Sequence, residues 1–267
     1  MGLNSYVSKE PRSLPIFVLA DASGSMRGEK INELNLALRE MLNALNNVED
    51  IRGKFQLCVI SFGGGVKVVQ PLADVEGMML PELTASGNTP MGEAFEVVKE
   101  MIEDREIVSS RAYAPTIVLI SDGIPTDCSE EIYNSKKYDS WDALIDLHNG
   151  ERSSKSQRLA LGIGADADYT MLKEYINNPE IPVIKANDAT GITKFFKWVT
   201  MSTVARMNSV NPNVTSIVAS TFDKTAPVHP TFVEIIKRMS ECDFMLFQDL
   251  YNIGQTHDVT VAKTILI

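Results

Sequence analysis

The chain has 267 residues, of which 44% are hydrophobic and 22% are charged, and its formal net charge is −10. This length and composition suit one good-sized α/β domain with an appendage. The acidic balance argues against a nucleic-acid partner or an anionic membrane surface, because phosphates are bound through clustered Lys and Arg. It suits a cation site or a basic partner, although acidity is also an ordinary means of solubility.

The cysteines indicate the compartment. Cys58, Cys128 and Cys242 are odd in number, far apart and outside any C-x-x-C pair, so we expect a reducing environment and no zinc site. The three histidines are equally scattered.

No basic-then-apolar leader opens the chain, and no apolar run approaches the roughly 18 residues that span a bilayer. These features predict a cytoplasmic protein that does not enter a membrane.

The first predicted strand leads into a polar turn. Residues 1–13 are expected to form an extended lead-in of low order. Residues 14–20 form a short aliphatic run bounded by turn formers, which is typical of a buried strand. The sequence DASGSM at 21–26 then falls at the carboxyl end of this strand, the edge of an open α/β sheet at which ligands bind.

A helix and a hairpin are predicted next. Residues 28–47 carry apolar side chains at helical spacing, and residues 55–62 form a second strand. Gly63-Gly64-Gly65 is followed by the strand-like residues 66–69, so the glycines are expected to turn a hairpin. A phosphate loop would need a helix after the glycines, which makes nucleotide binding a weak alternative.

Residues 90–102 predict a second helix whose N-terminus holds Thr89, because Pro90 suits a first helical position. Its predicted inward side chains are Met91, Ala94, Val97, Val98 and Met101. The apolar residues 115–121 predict a buried strand that ends at Asp122.

The segment 123–156 is long for a single connection. It places one set of side chains on a single helical face: Tyr138, Trp141, Leu144, Ile145 and His148. A helix packed on the sheet is the main interpretation. The alternative is an insertion beside the Asp122 loop that shapes partner specificity.

The remaining elements alternate between strand and helix. Strands at 158–163 and 183–185, and helices at 169–176 and 191–206, complete a three-layer, doubly wound α/β fold with a mostly parallel sheet and helices on both faces. We divide the chain into a lead-in at 1–13, a main domain at 14–207 and a C-terminal α+β extension at 208–267. The extension is too apolar for a disordered linker, so it should pack on the domain, a partner or a second copy.

The polar turn has the donors of a cation site. Asp21, Ser23 and Ser25 offer one carboxylate and two hydroxyls, which can converge if the chain turns sharply at Gly24. Hard oxygen donors of this type suit Mg²⁺ or Mn²⁺ rather than zinc. Taken alone, each residue is more often a helix cap, because Ser and Asp before helices satisfy unpaired backbone donors.

This pattern resembles the metal-ion-dependent adhesion site, or MIDAS, of von Willebrand factor A (vWA) domains. Two distant stretches have the family's order, TASGNTPMGEA at 84–94 and PTIVLISDG at 115–123. The resemblance implies a Rossmann-like vWA fold and a metal site completed by Thr89 and Asp122. The stretch FFKWVT at 195–200 resembles the bacterial tellurium-resistance TerY-like branch of the family.

The resemblance also implies a function. A bound Mg²⁺, Mn²⁺ or Ca²⁺ would accept its last ligand from an Asp or Glu of a partner protein, so that the site is a docking surface and not an enzyme. TerY-like members imply a stress-response or tellurium-resistance system, with a protein kinase or phosphatase as partner.

Two other functions stay open. Haloacid-dehalogenase-type phosphoester hydrolases also begin with an aspartate after the first strand, but they use Asp-x-Asp, and here Ser23 stands at the second position. The other alternative is a scaffold that oligomerises through its tail and holds a purely structural cation.

Overall fold

The described residues form one sheet of six strands. The computed structural model describes residues 11–48, 53–179, 181–186, 188–208 and 211–213. The strands are β1 Arg12–Asp21, β2 Gly53–Phe62, β3 Val66–Asp74, β4 Thr116–Ser121, β5 Gln157–Ile163 and β6 Ile184–Ala186. Their order across the sheet is β3-β2-β1-β4-β5-β6.

Five strands run parallel, and β3 pairs antiparallel with β2. The predicted hairpin at 63–65 is therefore confirmed, as is the mostly parallel, doubly wound α/β fold. Strands β1 and β4 lie at the centre and are buried along nearly their whole length. A strand covered on both faces needs a continuous apolar run rather than an alternating one, which is what residues 14–20 and 117–120 supply.

The described residues contain six α-helices. They are α1 Glu29–Asn46, α2 Met91–Glu103, α3 Glu130–Ser135, α4 Asp142–Asn149, α5 Tyr169–Ile176 and α6 Thr190–Asn208. Helices α1 and α6 pack together, whereas α2 packs against α4. Phe95 of α2 stacks on Tyr175 of α5 with ring centroids 5.3 Å apart, which joins α5 to the second group. The helices thus form two layers, one on each face.

The structure corrects one local prediction and adds detail to another. The inward face of α2 is rotated, because Phe95 and Ile102 are fully buried while Val97 and Met101 are only partly so. The helix predicted within the segment 123–156 is present as α4, which packs against α2, although Tyr138 and Trp141 precede it. The segment also contains α3 and a 3-10 turn at Tyr138–Ser140, and the chain breaks between them at Lys136, whose φ is 56°.

Some predictions lie outside the described residues. The lead-in is described only from residue 11, and β1 begins at Arg12, two residues earlier than expected. The extension is described only to residue 213 apart from 209–210, so its predicted strand and helix are untested. Within the described residues, no helix is long and apolar enough to cross a membrane.

Candidate cation site

The predicted site lies where the direction of the chain winding reverses. Strand β1 has β2 on one side and β4 on the other, both parallel to it. The connection through α1 leaves toward β2, whereas the later strands build outward from β4. Such a switch point opens a crevice at the carboxyl ends of the strands. Asp21 ends β1 and Asp122 follows β4, so both carboxylates lie at this crevice.

Four of the five predicted ligands form one hydrogen-bonded chain. The Ser23 amide donates to Asp21 Oδ1 at 2.9 Å. The Ser23 and Ser25 hydroxyls are 3.0 Å apart, and Ser25 Oγ donates to Asp122 Oδ1 at 2.7 Å. The last of these bonds joins the side chains of two residues that are 97 positions apart in the sequence.

The loop that carries Thr89 is fastened to the β1 loop through the backbone. The Ser86 amide donates to the Ala22 carbonyl at 2.7 Å, and the Gly24 amide donates to the Gly87 carbonyl at 3.0 Å. Gly87 has φ +70°, and a Cβ there would lie 2.4 Å from the Cα of Gly64. The glycines therefore allow three loops to come closer together than side chains would permit.

Thr89 itself lies beside the Asp122 turn. A Cβ added at Gly123 would lie 3.8 Å from both Thr89 Oγ1 and Ser25 Oγ, so both hydroxyls lie next to the same backbone position. Thr89 exchanges hydrogen bonds with Thr126, and the Glu93 amide donates to Asp127 Oδ2 at 2.9 Å. Residues 126 and 127 therefore tie the start of α2 to the loop that follows Asp122.

The site contains two buried carboxylates. Asp21 is fully buried and the Asp122 residue is 1% exposed. Burial raises the pKa of Asp21, hydrogen bonds from Ser121 and Ser23 partly oppose this rise, and the charge of Asp122 adds to it. A second nearby anion therefore disfavours ionised Asp21, and a cation between the two carboxylates would favour it.

Three residues at the site were missed by the sequence analysis. Ser121 Oγ donates to Asp21 Oδ2 at 2.6 Å, and it accepts from the Gly123 amide at 3.2 Å. Lys30 Nζ donates to Asp122 Oδ2 at 2.5 Å, and Thr126 Oγ1 accepts from the Thr89 amide at 3.1 Å. Ser121 could have been noticed because it adjoins Asp122 at the strand end. Lys30 and Thr126 have no local sequence signal.

The donor set fits a hard divalent cation. It consists of carboxylate and hydroxyl oxygens, the ligand type preferred by Mg²⁺ and Mn²⁺. Asp21, Ser23, Ser25, Thr89 and Asp122 would hold the ion. No cluster of three or more His, Cys, Asp and Glu side chains occurs in the described part of the chain. Of the cysteines described there, Cys58 and Cys128 are both free thiols.

Comparison with known proteins agrees with this architecture. Residues 16–124 match the family model for the von Willebrand factor type A domain, a stretch that holds the whole predicted site. This stretch of the chain is similar to a vWA domain. None of the curated proteins matches the sequence.

Solved structures show the same fold at low identity. The von Willebrand factor type A protein from Catenulispora acidiphila superposes with a TM-score of 0.55 at 16% identity, over 71% of this chain and 42% of that one. The ArnB paralog VWA2 from Sulfolobus acidocaldarius gives 0.52 at 19% identity, over 71% and 46%.

Proximal thread matrix protein 1 from the mussel byssus gives a TM-score of 0.53 at 18% identity, over 72% of this chain and 48% of that one. That structure has a zinc-occupied MIDAS motif. The present chain spans less than half the length of each of these three structures. At this identity, they support the vWA fold and no finer assignment.

Proposed function

We propose that this vWA domain is a divalent-cation-dependent docking module whose MIDAS binds Mg²⁺ and receives an acidic residue of a partner protein. The observation that carries the proposal is the hydrogen-bonded chain from Asp21 through Ser23 and Ser25 to Asp122. It gathers two carboxylates and two hydroxyls from separate strands, and Thr89 adjoins them across Gly123.

The residues present account for an electrophilic site. Only two of the five proposed ligands are charged, so they would neutralise a dication without supplying strong donors at every position. Mg²⁺ favours octahedral coordination by oxygen and often keeps positions for water or an incoming ligand. When bound, it would supply a Lewis-acidic position for a carboxylate. The protein's own task is to hold the hydroxyls of Ser23, Ser25 and Thr89 in fixed positions, which the backbone bonds between the loops accomplish.

Metal binding is the first test. Mn²⁺ should be titrated into the full chain by calorimetry, with electron paramagnetic resonance of free Mn²⁺ as a second readout. Asp21→Ala and Ser25→Ala should abolish or strongly weaken binding. Asp74→Ala is the matched control, because Asp74 is 44% exposed and bonds Lys54 at the opposite end of β2. Equal Mn²⁺ affinity in wild type and Asp21→Ala would refute the site.

Docking is the second test. The full chain should be used as bait in a pull-down from its native host with Mg²⁺, with EDTA and as Asp21→Ala. We expect a partner that is retained only by the wild-type chain with metal. Substitution of single Asp or Glu residues in that partner should then remove binding. A partner that survives all three conditions would place recognition elsewhere on the chain, and the cation would be structural.

The finer assignment rests on the sequence alone. The proposed setting is a cytoplasmic TerY-like stress-response or tellurium-resistance system, with a kinase or phosphatase as partner. Its support is the FFKWVT stretch at 195–200, whose Phe195, Phe196 and Trp198 are buried in α6. The proposal includes no hydrolytic role, because Ser23 cannot replace a carboxylate acid or base. Identification of the retained partner tests the assignment to a TerY-like system. Metal-dependent turnover of a phosphoester by the chain would contradict the proposal that the site has no hydrolytic role.

A further inference from the structure

The side chain of Lys30 forms an ion pair with Asp122, one of the proposed metal ligands. Its Nζ is 2.5 Å from Asp122 Oδ2, and the Asp122 side chain is fully buried while that of Lys30 is 35% exposed. The other Asp122 oxygen accepts from Ser25 at 2.7 Å. Both oxygens of Asp122 are therefore engaged by groups of the protein itself.

The location of Lys30 is unfavourable apart from this contact. It is the second residue of α1, at the helix end where the backbone dipole disfavours a positive charge. A long side chain also loses rotamer freedom when its ammonium is held in one place. The buried carboxylate of Asp122 offsets these costs. Among the ion pairs of the described residues, this is the one that reaches the proposed site.

We propose that Lys30 is an internal counter-ion that lowers the cation affinity of the site and leaves the loaded site with a net positive charge. This inference rests on the proposed function, because it concerns the same cation. With both carboxylates ionised, as a bound cation favours, Asp21, Asp122 and Lys30 together carry a charge of −1, and the dication brings the total to +1. Without Lys30 the total would be zero.

Two physical effects act in the same direction. If Lys30 stays in place, its ammonium repels the incoming dication. If it leaves, the ion pair with a buried carboxylate is lost, which costs free energy. Either way Lys30 weakens metal binding. When Lys30 stays in place, the remaining positive charge attracts a carboxylate, so the site holds its metal more firmly when an acidic partner also binds.

The test compares Mn²⁺ affinity among charge variants of the full chain. Lys30→Gln removes the charge and retains a hydrogen-bond donor, and Lys30→Met retains the apolar stem. Both should bind Mn²⁺ about tenfold more tightly than wild type, the scale of the interaction between a dication and a nearby ammonium in water. Lys30→Arg keeps the charge and should stay within about threefold of wild type. Lys54→Gln is the control, since it removes the ammonium from the Lys54–Asp74 ion pair.

A second readout follows thermal unfolding without metal. Lys30→Gln should lower the Tm of the metal-free chain, because Asp122 loses its counter-ion, and saturating Mn²⁺ should raise the Tm by more than it does in wild type. Unchanged or weaker Mn²⁺ binding by Lys30→Gln and Lys30→Met, while Asp21→Ala still loses binding, would overturn the role of Lys30 alone. Equal Mn²⁺ affinity in wild type and Asp21→Ala would overturn the proposed site and this inference with it.

Discussion

Thr89 and Thr126 hold each other by two hydrogen bonds that run in opposite directions. The Thr89 amide donates to Thr126 Oγ1 at 3.1 Å, and the Thr126 amide donates to the Thr89 carbonyl at 3.0 Å. Thr89 comes just before α2, and Thr126 follows β4 and Asp122. The pair thus sets the distance between two loops that each contribute a proposed ligand.

Removal of one of these bonds should weaken cation binding. Thr126→Val keeps the shape of the side chain and the backbone bond, but it deletes the acceptor of the Thr89 amide. We expect a loss of about 1 kcal/mol, or about fivefold in Mn²⁺ affinity if all of it falls on the loaded state. Calorimetric titration of the full chain measures it. Thr170→Val is the control, because Thr170 is an exposed threonine on α5; equal losses in both variants would contradict the role of Thr126.

The close approach of the loops predicts a difference between two glycines. Gly77 and Gly87 both have φ +70°, but a Cβ at Gly77 meets nothing within 4 Å, whereas one at Gly87 meets the Gly64 Cα at 2.4 Å. Gly77→Ala should cost about 1–2 kcal/mol for the left-handed conformation alone. Gly87→Ala should cost a further 1–3 kcal/mol, roughly, for the backbone clash. Denaturant unfolding measures both, and equal costs would show that the loops can separate freely.

The buried amide of Asn35 connects α1 to the loop that precedes Thr89. Asn35 Nδ2 donates to the Leu83 carbonyl at 2.9 Å, and the Leu83 amide donates to Asn35 Oδ1 at 2.8 Å. Asn35→Ala would leave two buried backbone groups without partners, at a cost of about 3 kcal/mol. Asn43→Ala, on the exposed side of the same helix, should change the free energy of unfolding by less than about 0.5 kcal/mol. Chemical denaturation compares the two, and a small effect of Asn35→Ala would show that the loop is held by other contacts.

The carboxylate of Asp168 predicts a pH dependence of stability. Burial by itself would raise the pKa of Asp168, but hydrogen bonds from Lys136, Tyr138 and the Met171 amide outweigh it and lower that pKa. Lys136 Nζ and the Tyr138 hydroxyl each lie 2.6 Å from Asp168 Oδ2, which anchors the 123–156 segment to the start of α5.

The sign follows from the lowered pKa. The contribution of Asp168 is fully present above its unfolded pKa, about 3.9, and is lost as the pH falls through the lower folded value. Asp168→Asn should therefore cost about 2 kcal/mol at pH 7, and this cost should shrink steadily below about pH 4. Urea unfolding of wild type and Asp168→Asn at pH 7 and at pH 3 measures this cost. A cost that is the same at pH 7 and pH 3 would contradict the assignment.

The elements that the sequence predicted well are those with strong local patterns. Helix α5 was predicted at 169–176 and occupies those residues, and the glycines at 63–65 were correctly assigned to a hairpin. The inner face of α2 was wrong because Val97 and Met101 are as apolar as Phe95 and Ile102, so composition alone could not set the rotation of the helix. Packing decided it, since Phe95 lies between Trp141 and Tyr175.

The sequence by itself determined the fold class, because apolar runs are local properties of the chain, and its resemblance to vWA domains completed the set of five candidate ligands. That these ligands hold a metal remains a prediction. Only the tertiary structure decided which residues surround them. Ser121 donates a hydrogen bond to Asp21, Lys30 forms an ion pair with Asp122, and Thr126 accepts a hydrogen bond from the Thr89 amide. The last two contacts join residues 92 and 37 positions apart. Hydrogen bonds and ion pairs at such separations depend on the order of the strands and the approach of the loops, which no local pattern encodes.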